Sequence, residues 1–327
     1  MGAGVTERVI DTNGVRLRTL EAGRRGDPLV VLAHGFPELG YSWRHQIPAL
    51  AAAGYHVLAP DQRGYGGSSR PSAIEAYSIA ELTADLVGLV DDAGADQAAI
   101  VGHDWGSIIA WTMPLLHPDR VAAVAGLGGP PVPRPTRPPT VGWRDKFGDH
   151  FFYILYFQEP GVADADLARD PAATLRKTLA GRLPDNAEAA RMAQPGPEGY
   201  VERLPAPGAL PEWLSRSELD YYTSEFTRTG FTGALNWYRN FDRNWELMAD
   251  PPADTITVPS LFLAGTNDPV LSFTPVDRYA QVVSGPYRQL LIDGAGHWIQ
   301  QERPAAVTEA LLELLAQAKW QSNSSPF

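Results

Sequence analysis

Short apolar runs alternate with helix-patterned stretches along most of this chain, and that alternation limits the possible folds more than any single residue does. The runs are Leu29 to Ala33, His56 to Ala59, Ala98 to Val101, Val121 to Leu127, Ser260 to Ala264 and Tyr287 to Ile292. A strand that is apolar along its whole length is buried on both faces, and a mostly parallel sheet covered by helices on both sides buries strands in that way. Ahead of these runs, Arg8 to Thr12 and Val15 to Glu21 flank Asn13-Gly14. That dipeptide supplies the positive φ of a tight turn and predicts an antiparallel hairpin. Ser78 and Glu81 are spaced as a capping box before Leu82, Leu86, Leu89 and Val90, with Gly94 where a helix-ending glycine belongs. Pro304 opens a closing amphipathic helix carrying Val307, Leu311, Leu312, Leu314 and Leu315, and the tail from Gln321 is expected to fray.

The alternation breaks between about Pro130 and Asp254, where aromatic residues crowd into helical segments and no strand pattern is evident. An inserted helical lid is expected there, which divides the 327 residues into a first core part, 1–137, a lid, 138–250, and a second core part, 251–327. The proline-rich stretch Pro130 to Pro139 reads as a stiff connector, a more economical account than a partner-binding PxxP motif. Within the insertion, Gly181 to Trp213 is rich in Pro, Gly and Ala and predicts a long loop.

Composition removes several classes of function. The absence of cysteine excludes disulfides, thiolate metal sites and a cysteine nucleophile. A formal net charge of -11 opposes binding to nucleic acid, whose phosphates require basic residues. No uncharged apolar stretch of about 18 residues appears, and the opening residues lack a signal-peptide core, so a soluble, cytoplasmic protein is expected. The seven histidines show no metalloprotease spacing. Gly64, Gly66 and Gly67 lack the context of a phosphate-binding loop. No metal and no cofactor are expected; monomer and homodimer both stay open.

Chemistry concentrates where strands end. Gly102-His103-Asp104-Trp105-Gly106 follows an expected strand and opens a helix. Its two glycines suit the sharp strand-to-helix reversal of a nucleophile elbow, here with aspartate in the nucleophile position. An aspartate there also suits an ordinary helix N-cap, so the motif needs its neighbours. His34-Gly35-Phe36-Pro37 follows the strand ending at Ala33. At that position the backbone N–H groups of Phe36 and Trp105 are expected to converge as an oxyanion hole, with His34 structural. Asp268, in Gly265-Thr266-Asn267-Asp268-Pro269, and His297, in Gly294-Ala295-Gly296-His297-Trp298, each follow a later strand. Nucleophile, acid and histidine thus come in the order of a hydrolase triad.

With these residues in view, the sequence resembles the epoxide hydrolases of the α/β-hydrolase superfamily over essentially its full length. The resemblance rests on His34-Gly35-Phe36-Pro37-Glu38, Asp61-Gln62-Arg63-Gly64-Tyr65-Gly66, the Asp104 elbow, Phe157-Gln158-Glu159-Pro160-Gly161, Asn236-Trp237-Tyr238-Arg239-Asn240 and Gly296-His297-Trp298. It implies an α/β-hydrolase fold with an inserted helical lid. It also implies that Asp104 is the nucleophile, that Asp268 orients His297, and that the lid tyrosines Tyr153 and Tyr238 donate to the epoxide oxygen. Periodicity alone cannot separate Tyr153 from Tyr156, three positions on, because both lie on neighbouring parts of one helix face. The resemblance favours Tyr153. Phe36, Pro37, Trp105, Phe151, Trp237 and Trp298 are expected to line an apolar pocket for a small hydrophobic epoxide, with membership of the lid-to-core interface alone as the alternative for some of the rings.

Two rivals remain in view. A haloalkane or haloacid dehalogenase shares the aspartate elbow, but a departing halide needs no proton and so gives paired tyrosines no task. A non-catalytic small-molecule-binding homologue would have no use for a complete triad.

Overall fold

The computed structural model describes residues 4–180, 190, 192–205, 208–273 and 278–320. Its centre is an eight-stranded sheet in the order β1-β2-β4-β3-β5-β6-β7-β8. The strands are β1 (Thr6–Thr12), β2 (Val15–Ala22), β3 (Leu29–Ala33), β4 (His56–Pro60), β5 (Ala98–His103), β6 (Val121–Leu127), β7 (Ser260–Gly265) and β8 (Tyr287–Ile292). β2 runs antiparallel to both of its neighbours, and every pairing from β4 onwards is parallel. All six apolar runs become strands. Every residue of β3, β4, β5, β6 and β7 is buried, as expected for strands covered on both faces.

The hairpin turns at Asn13 and Gly14, with φ of 44° and 72°, and pairs Thr12 with Val15. Helix α1 (Gln46–Ala52) and the closing helix Pro304–Leu315 cover one face of the sheet with Ile47, Leu50, Leu311 and Leu314. On the other face lie α2 (Ile79–Ala93) and α3 (Trp105–Leu116), which contribute Leu82, Leu86, Ile109 and Met113 to the second core cluster. α2 ends as expected at Gly94, which is left-handed at φ 69°.

Its start departs from expectation. Ser78 is the residue before the helix, but its side chain makes no capping bond. Asn244 Oδ1 takes that place by accepting the Ile79 N–H at 2.7 Å. Glu81 instead accepts from Asn13 Nδ2 at 3.0 Å. The capping-box spacing was real, and tertiary partners outcompeted it.

Between β6 and β7 the described residues carry helices and no strand. The helices are Pro139–Phe147, Tyr153–Tyr156, Val162–Arg169, Pro171–Leu179, Tyr200–Arg203, Arg216–Thr229, Thr232–Arg239 and Phe241–Leu247. The connector before them is pinned. Arg134 stacks on Trp245 at 3.8 Å, and Trp245 Nε1 donates to the Pro135 carbonyl at 2.7 Å. The long loop expected over Gly181 to Trp213 is interrupted by the turn of helix Tyr200–Arg203. Residues 181–189, 191 and 206–207 of that expectation, and the tail from Gln321, lie outside the described residues. Among the described residues no helix is long and apolar enough to cross a membrane.

Candidate active site

Parallel strands end on one edge of a sheet, so the loops that follow β3, β5, β7 and β8 gather there. The turn after β5 is the sharpest. Asp104 sits at φ 53° and ψ -118°, a conformation that costs a residue with a side chain about 1–3 kcal/mol and persists only when its surroundings enforce it. The enforcement is steric: a Cβ on Gly102 would lie 1.8 Å from the Gly106 carbonyl oxygen, and one on Gly106 would lie 2.1 Å from that of Ala33. Although Asp104 precedes α3, its carboxylate does not cap the helix. It turns the other way, and Oδ1 accepts the Phe36 N–H at 2.8 Å. This excludes the N-cap reading. The loop after β3 thus brings the Phe36 N–H to the Asp104 carboxylate.

His297, after β8, places Nε2 3.6 Å from Asp104 Oδ2 and Nδ1 2.9 Å from Asp268 Oδ2. A carboxylate accepts only, so Nδ1 carries the proton shared with Asp268 and Nε2 faces Asp104. Asp268 is itself held, because Oδ1 accepts the Val270 N–H at 2.9 Å. Burial pushes the Asp104 carboxyl up. The adjacent His297, the charge of His103 and the Phe36 N–H more than offset this and hold it below its ordinary 3.8. Burial would lower His297, but the charge of Asp268 and the proximity of Asp104 raise it well above 6.5.

Two tyrosines of the helical segment feel the charge of this carboxylate. Tyr153, at the start of helix Tyr153–Tyr156, and Tyr238, in helix Thr232–Arg239, bring their ring centroids to 6.2 Å of one another. Burial, then the charge of Asp104, raises both phenols well above 10, so both keep their protons. Tyr156 points elsewhere: its hydroxyl donates to Asp166 at 3.3 Å and its ring packs on Phe151. The ambiguity left by helical spacing is thereby resolved in favour of Tyr153 as the tyrosine beside the carboxylate.

Tyr238 also meets Phe36 at 5.5 Å and Trp105 at 5.2 Å, both edge-on. Trp298 flanks His297 at 4.8 Å, and Pro37 is buried beside Phe36. Two expected pocket residues stand elsewhere. Trp237 is fully buried, so no surface of it faces a cavity; it packs behind Trp105 and donates Nε1–H to the Arg63 carbonyl at 3.0 Å. Phe151 is turned toward Tyr156 and the guanidinium of Arg203, 4.2 Å from its ring centroid. Aromatic composition does not distinguish a pocket wall from the packing behind it, which explains both misplacements.

Comparison with known proteins decides the family. The family described as alpha/beta hydrolase fold matches residues 28–304. Epoxide hydrolase A of Mycobacterium tuberculosis is 68% identical over 317 residues, covering 96% of this chain and 98% of its own. This chain belongs to the epoxide hydrolases of the α/β-hydrolase superfamily. The crystal structure of Epoxide Hydrolase A from Mycobacterium thermoresistibile superposes with a TM-score of 0.95 at 64% identity, covering 97% of this chain and 100% of that one. An epoxide hydrolase from an endophytic Streptomyces gives 0.90 at 44% identity, covering 96% of each chain.

Within this epoxide-hydrolase fold, several supports were not assigned from sequence. Glu38, fully buried, lies 2.6 Å from His103 Nδ1 and accepts from the Gly35 N–H, Gln300 and Gln301. The other His103 nitrogen lies 2.8 Å from the His297 carbonyl oxygen. One buried pair thus ties the Phe36 loop to the His297 loop. Gln158 does the same for the tyrosines, its amide donating to the carbonyls of Ile154 at 2.9 Å and Tyr238 at 3.0 Å. Glu38, His103 and Gln158 all sat in quoted motifs, but motif membership carries no partner. His34, expected to be structural, is fully buried: Gln62 N–H donates to Nε2 at 2.9 Å, and Nδ1 faces the Gly35 carbonyl at 2.8 Å. Among the described residues no cluster of three or more His, Asp or Glu side chains is arranged to hold a metal ion.

Proposed function

We propose that this chain hydrolyses small hydrophobic epoxides to vicinal diols through an ester on Asp104. The observation that carries the reading is the split geometry of that carboxylate: Oδ1 rests on the Phe36 N–H while Oδ2 lies 3.6 Å from His297, and the charge of Asp104 acts on both Tyr153 and Tyr238. Oδ2 attacks one ring carbon, the ring C–O bond breaks, and its electron pair goes to the epoxide oxygen. A phenol proton from Tyr153 or Tyr238 neutralises the alkoxide that forms. A carboxylate needs no base for this attack, because it is already ionised at neutral pH.

The second step uses the first. While Asp104 is charged, His297 stands between two carboxylates and holds its proton. Esterification removes one of those charges, which lowers the proton affinity of His297 and converts it into a base. The proton that it gives up restores the ionised tyrosine; neutral His297 then takes a proton from water, hydroxide attacks the ester carbonyl carbon, and the oxyanion develops on Oδ1 at the Phe36 N–H, with the Trp105 N–H as the second expected donor. Collapse releases the diol and restores the carboxylate. The segment 138–250 serves as a lid over core parts 1–137 and 251–327, because it brings both tyrosines to the nucleophile. Paired phenols beside the carboxylate support an epoxide over a halide as the group that leaves carbon.

Oxygen labelling tests the reading. In a single turnover of styrene oxide in heavy-oxygen water, the oxygen added to the diol comes unlabelled from Asp104, and label appears on Asp104 afterwards. Immediate label in the diol overturns the ester route. Absence of diol from the active-site-intact protein overturns the activity.

A further inference from the structure

Helix Tyr200–Arg203 is a single turn, too short to be stable by itself in water, yet two buried charged side chains are devoted to it. Asp166, 6% exposed, accepts the Val201 N–H at 3.3 Å at the start of the helix. A Cβ on Gly199 would lie 2.4 Å from that carboxylate, so only glycine admits it so closely. Arg203, 8% exposed, closes the other end. It donates to the carbonyls of Glu198 at 2.9 Å, Met192 at 2.9 Å, Gln194 at 2.8 Å and Gly196 at 3.2 Å while stacking over Phe151. Lys177 Nζ adds a bond to the Val201 carbonyl at 2.7 Å. Among the described residues none of these three side chains bonds to Asp104, His297 or Asp268. What the helix brings to the site is Tyr200.

The Tyr200 ring lies 6.0 Å from Tyr153 and meets Phe157 edge-on at 5.2 Å. Burial, offset only in part by Thr178, raises its phenol to about 12, with the charge of Asp104 adding to the rise. Tyr200 thus presents an aromatic ring beside Tyr153, with its phenol kept protonated.

We propose that Tyr200 is a specificity-determining residue whose ring, held beside Tyr153 by Asp166 and Arg203, forms the wall on which a planar aryl substituent of the epoxide packs. Aryl faces and edges attract one another beyond simple burial when their centroids lie about 4.5–7 Å apart, whereas a short alkyl chain gains little from such a wall. The proposal rests on the epoxide-hydrolase reading above.

The test compares styrene oxide with 1,2-epoxybutane on the parent chain and on Tyr200→Ala, Tyr200→Phe and Arg203→Met. Tyr200→Ala lowers kcat/KM for styrene oxide about tenfold, mainly through KM, and leaves the alkyl epoxide within about twofold. Tyr200→Phe keeps the aryl preference because the ring remains. Arg203→Met shifts the preference in the same direction as Tyr200→Ala; if it fails to fold, the two Tyr200 variants decide. Equal losses on both substrates overturn the proposal, since they mark general structural support. A loss in Tyr200→Phe as deep as in Tyr153→Phe also overturns it, by making Tyr200 a proton donor. A parent chain that hydrolyses neither epoxide is a different failure, that of the underlying reaction.

Discussion

Asp104 Oδ2 stands 3.6 Å from His297 Nε2, beyond an ordinary hydrogen bond, while the opposite face of the imidazole is bound to Asp268 at 2.9 Å. The histidine is anchored to Asp268 and only adjacent to Asp104. That spacing suits a base whose target is a water near the carboxylate rather than the carboxylate itself.

His297→Gln is expected to separate the two half-reactions. Ring opening continues, because the carboxylate needs no base, but ester hydrolysis stalls. Mass spectrometry of the peptide containing Asp104 then finds the mass of one added substrate. Steady turnover near the parent rate, with no adduct, contradicts the role given to His297.

Tyr153→Phe combined with Tyr238→Phe is expected to stop alkylation itself, by at least about a thousandfold, since the alkoxide loses both donors in a site with little water. The rapid loss of epoxide in a single-turnover experiment reports that step directly. Each single variant loses less, because the partner phenol still faces the same oxygen.

The pH dependence of stability follows from two opposite shifts. His297 is raised above 6.5, so its contribution is complete below that value and is lost as the pH climbs through its folded pKa. Asp104 is lowered below 3.8, so its contribution is present above that value and is lost as the pH falls through its folded pKa. The melting-temperature gap between the parent and His297→Gln is therefore widest near about pH 5–6 and narrows above neutrality. A gap that widens with alkalinity contradicts the ion-pair arrangement.

Gly106→Ala tests the elbow without touching a reacting group. The added methyl has backbone on its far side, the Ala33 carbonyl at 2.1 Å, and backbone cannot rotate away as a side chain does. A loss of about 2–4 kcal/mol in denaturant unfolding is expected. A neutral substitution would show that the turn is looser than its contacts require.

The strands were legible because burial on both faces demands unbroken apolar runs, and β3, β5, β6 and β7 are such runs. That Asp104, Asp268 and His297 come together was legible because each follows a strand, and parallel strands deliver their following loops to one edge. Trp237 and Phe151 were not separable from true pocket rings, since a buried indole behind Trp105 has the same sequence signature as one facing substrate. The Ser78 cap failed for a related reason: Asn244, far along the chain, arrived first at the Ile79 N–H.

Local order and residue chemistry were thus written in the chain itself: an aspartate at a glycine-flanked turn, a later acid, a later histidine, and a segment too helical to join the sheet. Folding in three dimensions decided which way the Asp104 carboxylate turned, which of Tyr153 and Tyr156 approached it, and that Glu38, His103 and Gln158 hold the pieces in register. The reason is physical. Periodicity follows from neighbours along the backbone, whereas the direction of a side chain is set by atoms that only the completed fold brings near.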